Sequence, residues 1–324
     1  MARSSTGHRL LRGATGALVV CAASVHGESA RSLPSFGAGV EVVNVDLAVT
    51  DTRDRPVTDL TGSELAVYED GVPQELCLFT RERLPLSLTI LLDGSSSMRP
   101  HMAVAQAAAL RLIAALGPTD DAQVAQFTRR YSLLQDFTSD RVQLEAAVQK
   151  VEAHGETSLY GGLYIALKQL AARKGTGKGE QSRRAVVVLT DGEDTSSLVS
   201  EEQLLELARR SEVSVYAIGL RGAPTPAGPT VPVFFLTTLA RETGGRAWFP
   251  RALRELDGVY GRIGEELRTL YGLGYVSGNS RRDGKWRRIA VQARRENVLV
   301  RHRPGYYGPA TAERPPAPRP AEHP

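Results

Sequence analysis

The spacing of apolar and polar positions changes rhythm twice along the chain. Val43, Val45, Leu47 and Val49 alternate with Asn44, Asp46, Ala48 and Thr50. That period-two pattern predicts a half-buried β-strand. A turn at "DTRDRPV" follows. "ELAVYEDGVPQEL" then predicts a second strand, a tight Asp70-Gly71 turn and a third strand through Phe79. Residues 40–84 are therefore expected to be an all-β segment, too short to bury a core by itself.

From Leu86 the rhythm becomes strand, helix, strand. Strands are expected at 86–92, 122–127, 131–135, 185–190, 213–220 and 246–249. Helices are expected at 101–116, 140–153, 159–173, 200–210, 233–243 and 252–270. "AVVVLT" (185–190) has no polar alternation, as in a strand covered on both faces. The series predicts an α/β fold with a doubly wound, mostly parallel sheet. Past Leu270 the β pattern returns in "YGLGYVSG", "KWRRIAVQARR" and "NVLVRHRPGYY". These strands need partners, and those of residues 40–84 are the nearest supply. The expected organisation is an α/β domain (85–270) inserted into a small β-domain with halves at 40–84 and 271–308.

Composition adds detail at the ends. Arg3, Arg9 and Arg12 precede a short run of small and apolar residues from Ala14 to Val25, with no acid before Glu28. This predicts an export signal over residues 1–30 and a secreted or periplasmic mature chain without a transmembrane segment. A lipoprotein variant through Cys21 would want a small residue where Val20 stands. Loss of Cys21 leaves Cys77 as the single cysteine, so no internal disulfide is expected. Residues 31–39 are a polar linker, and the proline-rich tail 309–324 is expected to lack packed structure. The net charge of +4 comes partly from arginines and lysines between Arg281 and Arg303. No nucleic-acid-binding motif accompanies them, so a solvated strand face is expected and no nucleic-acid partner.

The candidate chemistry lies at strand ends. "ILLDGSSS" and "VVLTDGEDTSS" place Asp93 and Asp191 where two apolar strands stop. In such sheets ligands bind at the carboxyl ends of the strands, where the topology reverses. Asp93, Ser95 and Ser97, two residues apart in a tight loop, can aim at one centre, and Gly94 lets the backbone close round it. Thr157, in "HGETSLYGGL", precedes a helix. Two carboxylates and three hydroxyls make an all-oxygen donor set suited to a hard cation such as Mg²⁺.

Other readings fit less well. Gly94-Ser95-Ser96-Ser97 is followed by Met98, so the Gly-x-Ser-x-Gly elbow of a serine hydrolase is absent. His101 and His154 lie near the rim without the surroundings of a general base. In "KGTGKGEQ" (174–181) Gly179 stands where a phosphate loop needs Ser or Thr. Ser95, Ser97 and Thr157 as plain helix caps would explain each residue singly, but not their common rim.

Asp93-x-Ser95-x-Ser97, Thr157 and Asp191-Gly192 resemble the metal-ion-dependent adhesion site of a von Willebrand factor type A domain over about residues 84–270. With "VTDTRDRPVTDLTGSELAVYEDGVPQEL" before it and the strands after it, the chain resembles the bacterial VWFA-related proteins of acidobacterial type. The resemblance implies that Ser95 and Ser97 bind Mg²⁺ (or Mn²⁺ or Ca²⁺) directly. Thr157 would bind directly or through water, and Asp93 and Asp191 mainly through water. It implies a protein ligand that supplies Glu or Asp to the metal, and adhesion or assembly without enzymatic activity. Glu156 stands where the family often has a small residue. A scaffold with a purely structural metal, and a Mg²⁺-dependent hydrolase, remain the alternatives.

Overall fold

The computed structural model describes residues 42–173, 182–220 and 230–310. The stretches expected to be an export signal and a linker, residues 174–181, residues 221–229 and the tail from 311 lie outside the described residues.

Strand β1 (Val42–Asp51) is followed by β2 (Leu65–Glu69), β3 (Val72–Gln74) and β4 (Leu76–Thr80). The α/β part then runs β5 (Leu86–Asp93), α1 (Met102–Ala114), β6 (Asp121–Phe127), β7 (Tyr131–Thr138), α2 (Arg141–Gln149) and α3 (Leu159–Ala172). It continues with β8 (Arg183–Thr190), α4 (Glu201–Ser211), β9 (Ser214–Gly219), α5 (Val231–Glu242), β10 (Ala247–Trp248) and α6 (Leu256–Thr269). The last strands are β11 (Tyr271–Val276), β12 (Trp286–Ala293), β13 (Val298–Arg301) and β14 (Gly305–Tyr307).

The six-stranded sheet has the order β10-β9-β8-β5-β6-β7. Its pairings are parallel except that of β7, which folds back on β6 as an antiparallel edge. Side chains of β5 alternate between two cores. Leu88, Ile90 and Leu92 join α1, α2 and α6, whereas Leu91 joins α3, α4 and α5. All eight residues of β5 are buried, so its polar members Ser87 and Thr89 lie in the interior as well. Thr89 is no exception in energy, since Gln123 Nε2 donates to its hydroxyl at 2.8 Å. Helix starts carry local signals: Asp140 accepts from Val142 N, and Ser200 and Gln203 form a capping box at α4.

The flanking strands pair with one another across the α/β part. β1 lies antiparallel to β11 and to β13, and β11 to β4, giving the sheet β13-β1-β11-β4. β12 pairs with β2 and β14, giving β14-β12-β2-β3. Val45, Leu47, Val67, Leu273, Tyr275 and Ile289 fill one apolar core shared by the two sheets. The sequence pattern suggests one strand from Val72 to Phe79, whereas the structure breaks it at Glu75, between β3 and β4, which join different sheets. The last helix starts at Leu256, after a short 3₁₀ turn, and not at residue 252.

Candidate functional site

Chain order places β6 and β7 on one side of β5, and β8 to β10 on the other. The C-terminal ends of β5 and β8 therefore flank the point where the winding reverses. Leu92 pairs with Leu189, so the next residues, Asp93 and Thr190, sit side by side.

Asp93 is fully buried. Its Oδ1 accepts from Ser95 N at 2.8 Å, and its Oδ2 accepts from the Thr190 hydroxyl at 2.6 Å. Ser95, in extended conformation, leads into a 3₁₀ turn over Ser96–Met98. That turn brings the Ser95 and Ser97 hydroxyls to 3.0 Å from each other, while the intervening Ser96 is exposed. Gly94 has no room for a side chain: an added Cβ would lie 2.9 Å from the Glu152 carbonyl oxygen.

The loop before α3 is tied to this turn by backbone bonds, His154 N to Gly94 O at 2.7 Å and Ser96 N to Gly155 O at 3.0 Å. It holds Thr157, which is 5 % exposed. The Thr157 backbone is clasped by the loop after β8. Its N–H donates to the Thr195 hydroxyl at 3.1 Å, and its carbonyl accepts from Thr195 N and Ser196 N. Asp194 extends that clasp, accepting from Tyr160 N and from the Ser197 hydroxyl. Asp191, 6 % exposed, follows the end of β8. Gly192 after it has φ +103°, and a Cβ there would come 2.9 Å from Pro232 Cβ.

Hydrogen bonds thus join Asp93, Ser95 and Ser97 into one cluster, and backbone bonds bring the Thr157 loop against it. Asp191 bears on the cluster through its charge. Burial pushes the Asp93 carboxyl up to about 6; the Thr190 and Ser95 bonds oppose this, and the Asp191 charge adds to it. A buried carboxylate beside a second one, met by neutral donors and with the Ser95 and Ser97 hydroxyls close by, is a donor set that fits a hard divalent cation. Among the described residues no three His, Cys, Asp or Glu side chains gather into a metal cluster. Any cation at this rim therefore relies on hydroxyl oxygens as well as carboxylates. Neither rim histidine hydrogen-bonds to Ser95 or Ser97; His101 Nδ1 is buried without a partner, and the His154 side chain is exposed.

Sequence reading missed Thr190, Asp194, Thr195 and Ser197. Their only signal was the density of polar residues in "TDGEDTSS", which does not say which of them face the rim.

Residues 88–193, a span containing all five rim residues, match the family described as the von Willebrand factor type A domain. This stretch is a von Willebrand factor type A domain. Domains of this type commonly mediate protein–protein interactions. The match ends just after Asp191, and beyond it β9 and β10 continue the same sheet, with α4, α5 and α6 in its helical layers. Similar solved structures include an aerotolerance-related membrane protein from Bacteroides fragilis NCTC 9343. It has 19% identity over 56% of this chain and 98% of that one, with a TM-score of 0.44. BatB from Bacteroides thetaiotaomicron has 19% identity over 56% of this chain and 98% of that one, with a TM-score of 0.42. The vWF domain of the type V pili tip protein Mfa5 from Porphyromonas gingivalis has 11% identity over 57% of this chain and 95% of that one, with a TM-score of 0.44. No curated protein matches the chain. No helix among the described residues is long and apolar enough to cross a membrane.

Proposed function

We propose that the chain is an exported, divalent-metal-dependent protein-binding module used in adhesion or assembly. Asp93, Ser95, Ser97, Thr157 and Asp191 would hold the cation, Mg²⁺ being the best fit to few charges and several hydroxyls, with Mn²⁺ or Ca²⁺ able to replace it. The observation that carries the reading is the buried Asp93 carboxylate bonded to the Ser95 backbone N–H, with the Ser95 and Ser97 hydroxyls 3.0 Å apart beside it. When bound, the cation would supply an electrophilic centre for a carboxylate from a partner's Glu or Asp. Two aspartates nearly neutralise the divalent ion, and because they would act mainly through water the ion stays electrophilic toward an external carboxylate.

The domain division goes with this reading: residues 85–270 carry the rim, and residues 40–84 and 271–308 form its β support. Export rests on the basic, then apolar, N-terminus, and it is tested by the N-terminal residue of the mature protein from the producing cell. The binding role is tested by affinity capture from that cell's envelope with Mg²⁺, with chelator, and with Ser97→Ala in Mg²⁺. Partners retained only by the unaltered protein in Mg²⁺ support it. An identical set in all three sinks it.

A further inference from the structure

At the other end of the VWA sheet, where β8 and β9 begin, a cavity of about 300 Å³ opens between that sheet and β1 and β11 of the flanking β-strands. Among the described residues its wall carries five arginines, Arg173, Arg183, Arg184, Arg209 and Arg303, against three acids, Asp46, Glu212 and Glu242, and Arg173 pairs with a further acid, Asp121. Glu212 is shared, meeting Arg184 at 3.5 Å and Arg303 at 3.1 Å. It sits at the C-cap of α4 with φ +52°, a left-handed position where glycine is usual. Asp46 meets Arg183 at 3.1 Å, and Glu242 meets Arg209 at 2.9 Å. After those pairings three guanidinium N–H groups still lack acceptors among the described residues: Arg173 Nε, Arg183 Nη1 and Arg303 Nε are buried with no hydrogen-bond partner.

Buried guanidinium N–H groups without acceptors are costly, and a forked donor matches the oxygens of phosphate or carboxylate. We propose that this cavity is a binding site for a small oxyanion, a phosphate- or carboxylate-bearing metabolite. Its volume lies at the lower end of the range for small-ligand sites. An anion there would restore the missing negative charge and bridge Arg303, beyond β13, to Arg184 and Arg209 of the VWA domain. The site is separate from the rim and does not depend on metal.

The test uses the full chain with EDTA present, so that no rim-bound cation can hold the probe. Equilibrium dialysis and thermal melts are run with inorganic phosphate, and in a second arm with succinate, against chloride at equal ionic strength. Saturable uptake of either probe is expected, with a melting temperature about 3 °C higher at ten times its dissociation constant. Arg184→Gln and Arg303→Gln should each weaken uptake tenfold or more. Binding of one probe and not the other assigns the ligand class. Absence of saturable uptake by the unaltered chain overturns the proposal, whether or not the variants fold. So does uptake that both folded variants retain unchanged.

Discussion

Asp93, the last residue of β5, accepts a 2.6 Å hydrogen bond from the hydroxyl of Thr190, the last residue of β8. The bond closes the seam between the two central strands at the rim, and the same Thr190 oxygen accepts from Gly192 N at 3.0 Å. Thr190→Val keeps shape but strips a donor from a buried carboxylate and an acceptor from a buried amide. Chemical denaturation at pH 8 in chelator should show a loss of about 2 kcal/mol. An unchanged midpoint would mean that the bond contributes nothing.

The raised Asp93 carboxyl makes a pH signature for the metal-free protein. Its folded value of about 6 exceeds the unfolded 3.8, so the native state binds the extra proton between them. The associated stability is fully present below about pH 4 and is lost as pH rises through 6, a difference of about 3 kcal/mol. Urea midpoints in chelator for the unaltered protein and Asp93→Asn should diverge across that window. Parallel curves would refute it.

Glu69 is a buried acid in the flanking β-strands. It accepts from the Tyr275 and Tyr306 hydroxyls, both at 2.9 Å, and from Ser277 at 2.6 Å, with Arg287 Nη1 at 3.7 Å. Glu69→Gln leaves the buried Arg287 charge without its counter-charge and should cost about 3 kcal/mol. Tyr306→Phe, which removes one donor of several, should cost about 1 kcal/mol. Equal losses for the two variants in a denaturation series would contradict that ranking.

Gly94→Ala forces a methyl group to within 2.9 Å of the Glu152 carbonyl and 3.2 Å of Thr128 Cγ2. The first neighbour is backbone and cannot swing away, so the rim loops must part. A loss of about 2 kcal/mol is expected. Because His154 N donates to Gly94 O, amide exchange should quicken at His154 and Ser96 before it does in the sheet. Unaltered exchange at both would show that the glycine is not required by packing.

The centre of the fold was legible because Ile90–Leu92 and Val186–Leu189 are apolar runs of the kind a strand covered on both faces tolerates. Asp93 and Asp191 were legible as acids where those runs stop. The role of Thr190 was not, since it depends on the register that sets Leu92 against Leu189 across about 97 residues of chain. The clasp of Thr157 by Thr195 was hidden for the same reason: a serine- and threonine-rich loop does not announce which hydroxyl faces which amide. Glu69 left a trace, for it continues the inward set of Leu65 and Val67 in β2, and an acid on an apolar face needs partners. The break at Glu75 left none, because three- and five-residue strands carry too few alternations to separate.

Calorimetric titration with Mn²⁺ reads a single cation at the rim without any partner protein. The unaltered chain and Ser96→Ala, whose side chain is exposed, should each bind one ion with similar affinity. Ser97→Ala should bind at least tenfold more weakly while its melting curve in chelator stays that of the unaltered chain. Equal affinity in Ser97→Ala, or no binding by the unaltered chain, would contradict the account.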